Sequence, residues 1–119
     1  MPTSLVECIP NFSEARRPEV VEAIVAAIAA AGVTVLDRHS DNDHNRTVIT
    51  YVGTPAAAEE AAFQGIRKAA ELINLDAHTG SHPRIGATDV VPFVPISGVS
   101  MENCVAMARR LGERVGREL

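Results

Sequence analysis

Apolar residues recur along this chain in two rhythms, every second position in short runs and every third or fourth position in long ones, and the alternation of the two predicts its elements. Leu5 to Ile9 is a short apolar run ending at Pro10-Asn11, which reads as a strand and a polar turn. Pro18 opens a helix where a missing N–H costs nothing, Glu19 favours its positive end, and Gly32 stands just past its close. Val21, Ile24, Ile28 and Ala31 give that helix one apolar stripe. Val33 to Asp37 reads as a second strand, Arg38 to His44 as a polar loop, and Asn45 to Val52 as a third strand. Thr47, Ile49 and Tyr51 share one face of the third strand, and Arg46, Val48, Thr50 and Val52 the other.

Thr54-Pro55 is an N-cap with proline at the first helical position, and Ala62, Ile66, Ala69 and Ile73 mark the stripe of a second helix. Asp89 to Ile96 is apolar enough for a fourth strand, but Pro92 and Pro95 cannot donate to a ladder and favour an edge. Ser100 caps a third helix with Cys104, Ala108, Leu111 and Val115 inward. The order β-α-β-β-α-β plus a C-terminal helix predicts an α+β, ferredoxin-like split βαβ fold with helices on one face of an antiparallel sheet. The first and third strands are then central. The other sheet face has no cover in this chain, yet it carries Val48 and Val52, which points to a further packing partner.

Length and charge narrow the function. The 119 residues make one domain able to bury a core without disulfides or a metal. A formal charge of -4, three Phe, one Tyr and no Trp leave neither a phosphate-tracking face nor a stacking platform, which argues against nucleic acid. The start Met-Pro-Thr-Ser has no cationic n-region and no apolar run is long enough to span a bilayer, so the expectation is a cytoplasmic protein with no membrane partner. Cys8 and Cys104 occur singly and read as small buried hydrophobes.

The chemistry concentrates in Gly80-Ser81-His82-Pro83-Arg84-Ile85-Gly86-Ala87-Thr88-Asp89. His82 can exchange a proton near neutral pH, Arg84 can clamp a carboxylate, and Asp89 can orient either. His78 and His82 are four apart, but Gly80 and Pro83 work against a shared helix face, so no metal site is expected. Asp41 to Asp43 carry ordinary turn chemistry. Asn45 and Arg46 begin a strand, and because the first and third strands are antiparallel neighbours, Asn11 and Arg46 can share a site.

Three motifs stand in register: Val6-Glu7-Cys8-Ile9-Pro10-Asn11-Phe12-Ser13-Glu14, Asn45-Arg46-Thr47-Val48, and His82 through Phe93. Together they resemble the N-terminal subdomain of the glutamate formiminotransferase family, over residues 1–119, with the family's C-terminal subdomain absent. The resemblance implies a transferase moving a formimino group from N-formimino-L-glutamate to tetrahydrofolate, a co-substrate, in histidine breakdown. Its catalytic histidine falls on His82. Asn11, Arg46, Arg84 and Asp89 are the expected substrate-binding residues, the two arginines on charge and geometry alone. The mammalian pattern carries an acidic residue where this chain has His39, which leaves Asp37, Asp41 or Asp43 as carboxylates that can orient His82.

Family members continue past the helix ending near Leu119 into a second subdomain, with folate bound in the cleft between the two. The expected partners are therefore the C-terminal subdomain in cis or in trans, N-formimino-L-glutamate and folate. Two other classes stay open: a non-catalytic small-molecule binding module of ferredoxin-like shape, and a homodimer formed over the open sheet face.

Overall fold

The structure is a computed structural model, and it describes residues 4–15, 17–43, 45–73 and 88–119. Among the described residues nine elements follow one another: β1 (Leu5–Cys8), β2 (Asn11–Phe12), α1 (Pro18–Ala29), β3 (Thr34–Asp41), β4 (Arg46–Gly53), α2 (Pro55–Leu72), β5 (Thr88–Val90), β6 (Phe93–Ser97) and α3 (Met101–Glu118).

The six strands occupy four positions of one antiparallel sheet. β4 pairs with β3 on one side and with β1 and then β2 on the other, and outside these lie β6 and β5. Pro10 interrupts the first strand, but its carbonyl still accepts from the Ile49 N–H at 3.1 Å. The register is the same on both sides of it: Cys8 lies opposite Tyr51, and Asn11 opposite Val48. Pro92 interrupts the fourth strand in the same way, its carbonyl accepting from the Ile9 N–H at 3.3 Å. The run from Asp89 to Ile96 is thus two ladder segments, β5 and β6, and it lies at the edge as its prolines require.

One sheet face is covered by helices. Val6, Cys8, Phe12, Ile49 and Tyr51 are buried there with Val20, Ile24 and Ile28 of α1, Ala58, Ala61, Ala62 and Ala69 of α2, and Cys104, Met107 and Leu111 of α3. Gly65 marks the closest approach: a Cβ there would stand 3.0 Å from Ile28 Cγ1 and 3.3 Å from Phe12 Cζ. The Tyr51 hydroxyl donates to the Ala58 carbonyl at 2.7 Å and so ties β4 to the first turn of α2. Thr54 caps α2 by accepting from the Ala57 N–H, and Ser100 and Asn103 cap α3 reciprocally. Arg110 reaches Glu59 at 2.8 Å and Arg114 reaches Glu60 at 2.7 Å, fastening α3 to α2, with the Arg114 guanidinium over the Phe63 ring.

Two expectations need correction. Arg38 to His44 is not all loop, since β3 runs on to Asp41. Its polar residues are satisfied by partners a local pattern does not show: Arg38 pairs with Glu22 of α1, and the Ser40 hydroxyl meets that of Thr47 at 2.9 Å. In α3 it is Met107, not Ala108, that turns inward; Ala108 is exposed. Cys104 and Leu111 are seven residues apart, so either position between them fits the helical period, and the larger side chain takes the space. Cys8 and Cys104 are free and buried. Among the described residues no helix is long and apolar enough to cross a membrane.

Candidate active site on the open sheet face

Strand alternation places a second set of side chains on the face away from the helices, and the ladder arranges them in rows. One row crosses the sheet through Val94, Glu7, Val52 and Thr34. Another runs through Asn11, Val48 and His39. Between them Thr50 stands opposite Asp37, and at the hairpin end Arg46 stands opposite Asp41. Both rows mix valines with polar side chains, and the charged residues Arg46 and Asp41 make the β3–β4 hairpin its polar end.

The polar end is held from beneath. The Asp41 carboxylate accepts from the Asp43 N–H at 3.0 Å, an Asx turn that fixes where the hairpin begins. Asn45 has φ 50, a left-handed conformation that asparagine tolerates, and its side chain accepts from the Ala15 N–H at 2.8 Å. Thr47 donates to the Glu14 carbonyl at 2.6 Å. The Glu14 side chain is itself buried and paired with Arg17 at 2.6 Å, so its charge is compensated. These bonds clamp the segment after β2 onto the base of the hairpin. They give the neighbouring open face a rigid floor.

Asn11 and Arg46 stand on that face as diagonal neighbours, a relation that puts Cα atoms about 7–8 Å apart. Asn11 bends its amide back, its side-chain nitrogen donating to the Ile9 carbonyl at 3.1 Å. Asp89 is the extra residue where the register shifts between Asn11 and Phe12, so the fourth strand bulges beside Asn11. His82 and Arg84 lie outside the described residues, as do His78 and His44. Asn45 belongs to the turn rather than to the strand, and its side chain anchors Ala15.

The reading of 38–44 as a loop concealed one residue of this face, His39, an exposed imidazole one strand away from Val48 and two from Asn11. The compact Asp41 to Asn45 turn was the available signal, because a hairpin that turns there requires pairing back from Asp41. Chemically the described face offers a guanidinium, an amide, an imidazole and several carboxylates. The guanidinium and the amide there can hold an anionic oxygen, while the carboxylates can accept from N–H groups of the same ligand. Among the described residues no group of three or more His, Cys, Asp or Glu side chains could hold a metal ion.

The sequence pattern of the formiminotransferase domain, N-terminal subdomain, matches residues 5–119. The chain belongs to that family. It is 56% identical over 117 residues to a glutamate formimidoyltransferase of Thermoplasma acidophilum and 49% identical over 116 residues to that of Streptococcus pyogenes. It is also 48% identical over 118 residues to the formimidoyltransferase-cyclodeaminase of Mus musculus. These alignments cover 97 to 98% of this chain but only 39% of each microbial relative and 22% of the mouse protein. The chain spans less than two-fifths of the length of these relatives.

Proposed function

We propose that this chain supplies one wall of a formimidoyl-transfer site, acting on N-formimino-L-glutamate with tetrahydrofolate as co-substrate. The match of residues 5–119 to the formiminotransferase N-terminal subdomain carries the reading. The rigid polar end of the open sheet face is compatible with it. The remaining three-fifths of the microbial relatives' length would furnish the opposing wall, in cis or in trans, and much of the folate contact.

In this reading the folate N5 attacks the formimino carbon, a new C–N bond forms, and the bond from that carbon to the glutamate nitrogen breaks. The proton leaving N5 must be accepted, and the departing nitrogen must receive one. An imidazole performs both transfers in turn, and His82 is the group proposed. Arg46 and Arg84 hold the substrate carboxylates, where a planar guanidinium gives paired hydrogen bonds. Asn11 and Asp89 orient the polar groups between them. No metal is part of this proposal.

The test is turnover of formiminoglutamate and tetrahydrofolate by the chain combined with the matching C-terminal polypeptide. His82→Ala is expected to lower kcat by roughly 100-fold or more, the usual worth of a positioned acid–base group. Normal turnover by that variant, with loss of turnover on His39→Ala instead, would transfer the proton-handling role to His39.

A further inference from the structure

Arg17 stands where the rules for helix ends disfavour it. It is the N-cap residue of α1, its carbonyl accepting from the Val20 N–H at 3.0 Å, yet its side chain makes no cap and brings a cation to the positive end of that helix. The side chain turns elsewhere. Its Nε and Nη2 lie 2.7 and 2.6 Å from Glu14 Oε1, and Nη2 also donates to the Leu72 carbonyl at 3.4 Å. Leu72 closes α2, where carbonyls have no acceptor role within the helix, and α2 has no basic residue of its own in its last turn. Arg17 supplies that charge from the start of another helix.

Glu14 is equally unexpected. Its side chain is 4% exposed, and a carboxylate withdrawn that far from water is costly unless a partner offsets the loss. No step of the proposed reaction uses it. The Glu14 backbone carbonyl meanwhile accepts from the Thr47 hydroxyl, and the N–H of the next residue, Ala15, is held by Asn45. Residues 14–17 thus form a junction with two arms. One ends at the base of β4, on the residues either side of Arg46. The other ends on the last turn of α2, from which the sequence leads on to His82.

We propose that Glu14 and Arg17 are positioning residues, whose ion pair fixes the end of α2, and with it the departure point of the segment that carries His82, relative to Arg46. The role presupposes formimidoyl transfer, with His82 and Arg46 in the parts assigned to them. Neither Glu14 nor Arg17 needs to touch substrate. A displacement of about 1 Å between reacting groups can lower a rate by roughly 100-fold, so a directional tie between the two elements acts on the chemical step without taking part in it. The guanidinium suits this use because its planar fork holds Glu14 and the α2 carbonyl in fixed directions at once.

Turnover by the chain combined with the matching C-terminal polypeptide tests this through a split between the two kinetic constants, with the folded fraction followed by urea unfolding. Glu14→Gln together with Arg17→Met removes both charges, so no buried carboxylate is left unpaired and the chain should stay folded. This double variant should lower kcat roughly tenfold or more while KM for formiminoglutamate stays within about twofold. Arg17→Lys keeps a cation for Glu14 and should retain most of the normal kcat. Asn45→Gly releases the other arm with a residue that accepts the left-handed backbone, and should raise KM severalfold with less change in kcat. Arg110→Met breaks an exposed pair near the start of α2 and should leave both constants unchanged. Normal constants in the double variant overturn the proposal and leave the transfer reading in place. So does a fall in kcat that only follows loss of folded chain, that Arg17→Lys shares in full, or that Arg110→Met reproduces. The same constant moved by the double variant and by Asn45→Gly overturns the division between the arms. Absence of turnover with both polypeptides unaltered overturns the transfer reading itself, and the positioning role with it.

Discussion

β4 presents two faces that obey opposite rules. Towards the helices, Thr47, Ile49 and Tyr51 are almost entirely buried, and their polar atoms are bonded to Glu14 and Ala58. Away from the helices, Arg46 is exposed and Val48, Thr50 and Val52 are partly exposed. Neighbouring residues on one strand therefore contribute to different properties. The inner face sets whether the chain folds, and the outer face is free to carry recognition. A substitution at one position and its immediate neighbour should separate the two.

The largest effect belongs to the inner face. Ile49→Ala removes three carbons from a site with no solvent contact, flanked by Pro10 and Arg38 across the ladder, and should cost about 2–5 kcal/mol in urea unfolding. Val48→Ala, one residue away on the partly exposed face, should cost under about 1 kcal/mol. Equal losses at the two positions would mean that the outer face is also packed, by a partner present in solution.

This division was legible in the sequence wherever a local rule decided the outcome. The alternation of Thr47, Ile49 and Tyr51 with Val48 and Thr50 assigned the faces, and Pro18, Thr54-Pro55 and Ser100 placed the helix starts. The prolines of the fourth strand placed it at the edge. Sequence pattern failed where distant partners decide. β3 extends to Asp41 because Glu22 of α1 pairs with Arg38 and Thr47, across the hairpin, meets Ser40, and neither contact is written in the run 38–44 itself. Of the expected site residues, Asn11 and Arg46 stand diagonally on one face by register alone, while His39 joined them only once β3 had its full length. The family resemblance added what no local rule supplies, the role proposed for His82.

An intermediate effect separates the faces by pH. Burial pushes the Cys8 thiol up to about 12, and burial raises the Tyr51 phenol as well. Both groups stay protonated in the folded chain after they ionise in the unfolded one. The unfolded state then binds fewer protons, so stability falls as pH rises. The contribution is complete below about pH 9 and should be lost above it, at no more than about 1.4 kcal/mol per pH unit for each group. Urea unfolding between neutral and strongly alkaline pH checks this. A Cys8→Ala variant should show a shallower loss in its first alkaline unit, and an unchanged slope would mean that the thiol ionises alike in both states.

The smallest change in stability should accompany the most specific loss of binding. Arg46 is exposed and sits at the end of β4, where truncation to Ala removes no buried apolar surface, so its effect on unfolding should stay within about 0.5 kcal/mol. If Arg46 holds a substrate carboxylate, KM for formiminoglutamate in the reconstituted pair should rise roughly tenfold or more, with kcat changed less, because a carboxylate contact persists from bound substrate to transition state. Arg46→Lys keeps the charge but loses the planar fork, and should recover only part of the affinity. A reconstituted Arg46→Ala enzyme with unchanged KM would leave the hairpin end of the open face outside the substrate site. It would then place recognition among residues nearer Asn11 and the fourth strand, on a face still distinguished from its buried counterpart by what it is free to contact.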